Sequence, residues 1–167
     1  MSISNISKKP ISIIKNSTIS DAIRMLLDTK ISRLVVVDNG KHVGIITEKD
    51  IGLFLFSETT RQGLDEIPIT KIMKPIEFVS QEITLKNSAK IMVEKNISSL
   101  AIGEKEEVET IFTKSDLVNY YAENITDEKK VVDFMTHDYE STHTAAPLYK
   151  VVRKMLEKKI SRLIVKN

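Results

Sequence analysis

The chain has 167 residues, 25 Lys+Arg against 23 Asp+Glu for a formal net charge of +2, 41% hydrophobic residues and 5% aromatic ones. This is the composition of a soluble, ordered chain of one domain or two small ones, and it speaks against disorder. With no cysteine there is no disulfide scaffold, thiolate metal site or Cys nucleophile, which fits a reducing, cytoplasmic compartment. The longest apolar runs, residues 34–37 and 53–56, fall far short of the roughly 18 residues of a membrane span. Residues 1–5 lack the apolar core of a signal peptide.

In chain order, residues 11–14 are short and β-branched and predict a strand. Thr18, with Asp21 three residues on, predicts a helix cap, and the helix runs to about Lys30. Its apolar stripe is Ile19, Ala22, Ile23, Leu26 and Leu27. Residues 34–37 (Leu-Val-Val-Val) predict a strand covered on both faces. Asp38-Asn39-Gly40 predicts a hairpin turn and residues 42–47 its return strand. A second helix from Glu48 carries Ile51, Phe54 and Leu55 inward. The unit is therefore strand–helix–strand–strand–helix.

That unit recurs. Ile31-Ser32-Arg33-Leu34 returns as Ile97-Ser98-Ser99-Leu100 and as Ile160-Ser161-Arg162-Leu163, 66 and 129 residues later. At the same offsets the helix stripe reads Leu85, Ser88, Ala89, Met92, Val93, and then Leu148, Val151, Val152, Met155, Leu156. The boundaries read as residues 1–60, 69–124 and an incomplete third copy, 125–167. Residues 57–68, polar and holding Gly63 and Pro68, are expected to be a connector. The acidic run 104–109 is expected to be a solvated hairpin tip. The third copy stops after its second strand, and half a unit with an open strand edge is marginal alone, so further chain beyond Asn167 is expected.

No phosphate loop, His-Glu-x-x-His or Gly-x-Ser-x-Gly pattern is present, so no enzyme is expected. His42, His137 and His143 read as lone surface histidines, and no metal is expected at their spacing. More informative are residues 44–51 (Gly-Ile-Ile-Thr-Glu-Lys-Asp-Ile) and 110–117 (Thr-Ile-Phe-Thr-Lys-Ser-Asp-Leu). Both put Thr-x-x-Asp, Thr47 with Asp50 and Thr113 with Asp116, where a return strand meets a helix. One reading is a capping box. The other is a ligand site: a carboxylate at that mouth takes a ribose diol, the helix N-terminus suits an anion, Gly44 lets the backbone approach a base and Ile46 sandwiches it.

The unit order, residues 31–38 and residues 44–51 resemble the cystathionine-β-synthase (CBS) domain, and the two complete copies resemble a Bateman module. The resemblance implies an α/β (α+β) fold of tandem β-α-β-β-α repeats packed as a pseudo-twofold pair with two clefts. It implies a regulatory module binding an adenine nucleotide (AMP, ADP, ATP) or S-adenosylmethionine, with no required cofactor. By that match Asp50 and Asp116 hold the ribose, Thr47 and Thr113 supply hydroxyls, Arg33 reaches phosphates, and Pro10, Ile11 and Ser12 read adenine. Ser99 stands where the first copy has Arg33, and Thr110 where it has Gly44, so the Asp50 cleft is expected to be the better one, although Arg33 could serve either.

Expected partners are the nucleotide, a second copy joined through the helices and an effector protein or domain, with no membrane. A ligand-free dimerisation module is the alternative reading. Nucleic-acid binding through Lys8-Lys9, Lys129-Lys130, Arg153-Lys154 and Lys158-Lys159 is a weaker one, because a surplus of two charges is small and Trp is absent.

Overall fold

A computed structural model describes residues 2–57, 62–126 and 128–167, and the chain divides into two compact units, Met1–Ile125 and Thr126–Asn167. The first holds β1 (Ser12–Ile14), α1 (Ile19–Thr29), β2 (Arg33–Asp38), β3 (Lys41–Thr47) and α2 (Glu48–Ser57). The same order follows in β4 (Phe78–Val79), α3 (Leu85–Glu94), β5 (Ser99–Glu104), β6 (Glu107–Thr113) and α4 (Lys114–Asn124). Each repeat makes a three-stranded sheet with one parallel and one antiparallel pairing. Registers agree at the 66-residue offset: Ser12 faces Val35 as Phe78 faces Ala101, and both sheets carry a bulge at Val36/Val37 and Ile102/Gly103.

Local chemistry explains the elements. Thr18 and Asp21 form the expected capping box, and α1 ends with Lys30 in the left-handed region at φ 54°. Asn39 and Gly40, both at positive φ, close the β2–β3 hairpin as a two-residue turn. Thr18→Ala should lower stability by about 1 kcal/mol by stripping the cap. An unchanged urea midpoint would show that packing alone holds that helix end.

One face of each sheet lies under its own helices. Ile13, Leu34, Val36 and Ile46 pack with Ile19, Ala22, Leu26 and Ile51, while Leu100, Ile102 and Phe112 pack with Met92. Val35, Ala101, Val108 and Ile111 form a separate cluster with Ile45, Ile76 and Phe78, where the two sheets meet. The apolar run 34–37 is thus covered on both sides, as expected. The stripes are narrower than expected. Leu27 and Val93 are 69% and 74% exposed, because the eighth residue after the stripe's start lies about 80° round the helix. Leu55 on α2 is also exposed rather than turned inward.

Two further expectations are corrected. Residues 58–61 of the expected connector lie outside the described residues, but Ile67 at its end is core of the first repeat, tied by Ile19 N–H donating to the Ile67 carbonyl (2.9 Å), and Ile69 and Ile72 just beyond it join the same core. Ile3, 66 positions before Ile69, is fully buried in the second repeat's core. The segment ahead of each repeat therefore packs on the other one. The acidic tip is solvated as expected, with residues 104–107 and 109 exposed, and it also reaches the first repeat: Lys41 pairs with Glu106 at 2.7 Å, and His42 N–H donates to the Glu106 carbonyl at 2.8 Å. Val108 N–H donates to His42 Nδ1 at 3.0 Å, so His42 is a half-buried link between hairpins and not a lone surface residue.

The second unit holds β7 (Ser141–His143), α5 (Leu148–Glu157) and β8 (Ile164–Lys166), with β7 parallel to β8 in the register of β1 on β2. Val151, Val152, Met155 and Leu156 are half-buried, Leu148 is 77% exposed, and Glu140 pairs with Lys154 and Lys158. Those two ammonium groups hold the Glu140 carboxyl below its ordinary pKa. Among the described residues no helix is long and apolar enough to cross a membrane.

Candidate functional site

Two strand-to-helix junctions carry the Thr-x-x-Asp segments. β6 ends at Thr113 and α4 follows at once, so Asp116 sits in the helix's first turn. Its Oδ2 accepts from Thr113 N–H (2.9 Å) and Thr113 Oγ1 (2.6 Å), and Asp116 N–H returns a bond to Thr113 Oγ1 (3.3 Å). Asp50 repeats the pattern with Thr47 at 3.0, 2.6 and 3.2 Å. The capping box is therefore present at both junctions. It commits one carboxylate oxygen and leaves the other. Asp116 Oδ1 faces Lys8 Nζ at 3.1 Å, and Asp50 Oδ1 pairs with Lys74.

These lysines come from the exchanged lead segments. Lys8 and Ile111 bond each other's backbones at 3.0 and 2.7 Å, and Lys74 and Ile45 do the same at 2.9 Å both ways. Lys74 follows Lys8 by 66 residues, as Ile111 follows Ile45, which is the pseudo-twofold relation at the level of single bonds.

A cavity of about 590 Å³ lies at Asp116, within the range of small-molecule sites. Pro10, Ile11, Arg33, Thr113 and Asp116 line it, joined by Lys8, Lys9, Lys30, Ile31, Ser32, Glu48, Ile111 and Ser115. Arg33 thus meets the second repeat's aspartate and not Asp50. Its Nη1 donates to the Ser98 carbonyl at 2.8 Å and its Nη2 to Ser32 Oγ at 3.2 Å. Burial pushes the guanidinium pKa down from its ordinary value, and the charges of Asp116 and Glu48 pull it back up.

Thr47, Asp50, Gly44 and Ile46 belong to the other junction. A Cβ on Gly44 would overlap Met73 Cγ and Sδ, so its close approach is to Met73. At the matching place Thr110 meets Ser7, whose Oγ donates to Thr110 Oγ1 at 2.7 Å. A small residue opposes a large one on one side, and two middle-sized residues oppose each other on the other. Ile46 is fully buried in the first repeat's core and cannot sandwich a base. Strand alternation turns its neighbour Ile45 to the inter-sheet face instead. Ser12 is exposed on β1 and is not among the cavity's lining residues.

Lys30, Ser32, Ser115 and Ile111 line the cavity without having stood out in the sequence as site residues, and Lys8-Lys9 stood out there only as a basic patch. The usable signal was the recurrence of Lys8 as Lys74 ahead of each first strand. Among the described residues no group of three or more His, Cys, Asp or Glu could hold a metal ion, and His143 Nδ1 accepts from Ala145 N–H in a local turn.

A family model described as CBS domain matches residues 3–55, 66–123 and 131–167. Protein MJ1225 of Methanocaldococcus jannaschii is 27% identical over 173 residues, covering 95% of this chain and 62% of that protein. Its crystal structure superposes with a TM-score of 0.87 at 22% identity, over 100% of this chain and 66% of the other. The CBS domain-containing protein YhcV of Bacillus subtilis is 29% identical over 105 residues, 61% of this chain and 71% of its own. The CBS domain pair of protein MJ0100, in complex with 5-methylthioadenosine and S-adenosyl-L-methionine, superposes with a TM-score of 0.65 at 26% identity, over 75% of this chain and 98% of that one. The chain thus spans less than two thirds of the length of the first of these relatives.

Proposed function

The chain belongs to the CBS domain family, and from that premise we propose that it is a non-catalytic regulatory module binding an adenine nucleotide in the cavity at Asp116. The observation that carries this is the convergence of Arg33 and the Pro10–Ile11 segment of one repeat on Thr113 and Asp116 of the other, around open space of nucleotide size. In this reading the ribose diol donates to Asp116 Oδ1. The base lies against Pro10, Ile11 and Ile111, and the phosphates turn to Arg33, the lysines and the first turn of α4. The MJ0100 pair, which holds adenosine-bearing ligands, supports this class of ligand. Asp50, Thr47, Gly44 and Ile46 belong to the weaker junction, the one that Arg33 does not join.

Because the cavity draws side chains from both repeats, a ligand favours the packing that keeps them together and shifts the population toward it. An effector protein or domain would read that shift. Thermal melting with AMP, ADP, ATP and S-adenosylmethionine tests the proposal. At about 100 times Kd a ligand stabilises by roughly 2.7 kcal/mol. No shift with any of the four at millimolar concentration would reject it.

The exposed helix faces favour a second role, self-association. Leu27 and Leu55 flank a shallow groove of Ile23, Leu26, Ile51 and Gly52. Two copies joined there would give a dimer mass in light scattering, and a monomer at high concentration would remove that role.

A further inference from the structure

Asp116 has one carboxylate oxygen left for a ribose, Oδ1, and that oxygen is already taken by an ammonium. Lys8 Nζ stands 3.1 Å from it, on a side chain that is 73% exposed, while the Asp116 side chain is 4% exposed. The Lys8 backbone is pinned in both directions to Ile111. The head group can therefore leave Asp116 by rotation of its own stem, with no shift of the strand. The surroundings favour an anion as its destination: Lys8, Lys9, Lys30 and Arg33 line the cavity against only Glu48 and Asp116.

We propose that Lys8 is a latch that closes the ribose position of the empty cavity and opens onto phosphate, making the site selective for phosphorylated nucleosides. This rests on the nucleotide reading above and adds its specificity. A nucleoside without phosphate must displace Lys8 from Asp116 and offers the ammonium nothing in return. A nucleoside di- or triphosphate displaces it and supplies a new partner of higher charge. S-adenosylmethionine brings a sulfonium cation among four cations and is disfavoured. Lys8 is a specificity-determining residue in this scheme, and its removal acts in opposite directions on two ligands.

Titration calorimetry of the full chain with adenosine, ADP and S-adenosylmethionine, on the wild type, Lys8→Ala and Lys8→Met, is the test. The wild type should bind ADP more tightly than adenosine. Both variants should bind adenosine up to about fivefold more tightly, the scale of an ion pair with an exposed partner, and ADP about tenfold more weakly. Agreement between Ala and Met separates the charge from the packing of the stem. If both variants lose adenosine and ADP affinity by the same factor, or if adenosine affinity does not rise, the latch is wrong while nucleotide binding stands. If the wild type binds none of the three, the nucleotide reading fails and the latch with it.

Discussion

Asp116→Ala should remove most of the nucleotide-induced stabilisation, and Asp50→Ala should leave it in place. The carboxylate is the group in the cavity suited to accept both hydroxyls of a ribose, and charged hydrogen bonds are worth about 1.5–3 kcal/mol each. Losing two, less up to about 1 kcal/mol for the Lys8 ion pair that no longer has to be broken, costs at least about thirtyfold in affinity, enough to remove most of a melting shift at practical concentrations. Each substitution also strips a capping box, at about 1 kcal/mol. The comparison is therefore between shifts, each measured from its own apo melt. Lys8 and Lys74 each lose an ion-pair partner, but both side chains are largely exposed and rehydrate at little cost. If Asp50→Ala removes the shift and Asp116→Ala keeps it, the ligand sits at the other junction and the assignment of Arg33 is wrong.

That assignment marks where sequence alone stops. The repeat was legible because two full copies keep one spacing, so stripes, hairpins and Thr-x-x-Asp segments could be aligned without gaps. Each of those features is local, set by caps, turns and periodicity within about 15 residues. The cavity is not local. Pro10, Ile11 and Arg33 come from one repeat and Thr113 and Asp116 from the other, and that pairing is set by contacts between repeats: the sheet-to-sheet packing of Val35, Ala101, Val108 and Ile111 and the bonds of Lys8 to Ile111. Reading within one copy favoured the Asp50 cleft and left open which of the two Arg33 serves. The same cause hid His42, whose partners Glu106 and Val108 lie more than 60 residues away. Ile46 failed differently: its burial follows from strand parity, and a shift of one residue would have found Ile45 and Ile111 on the inter-sheet face.

Gly44→Ala should destabilise the fold by about 1–3 kcal/mol, as overpacking does. Gly44 is not at positive φ, so its backbone makes no demand for glycine, and the constraint is space. The added Cβ meets Met73 and comes within 3.2 Å of the Lys74 carbonyl, which the paired bonds between Ile45 and Lys74 hold in place. The second repeat solves the same contact with Thr110 against Ser7, bonded hydroxyl to hydroxyl. Transplanting that solution, Gly44→Thr with Met73→Ser, should recover much of what Gly44→Thr loses alone, with a coupling of about 0.5–3 kcal/mol in a double-mutant cycle from urea melts. Additive losses would mean that the two contacts are not equivalent and that the 66-residue alignment does not extend to this contact. Coupling would show that glycine against methionine and threonine against serine are two fillings of one equivalent contact.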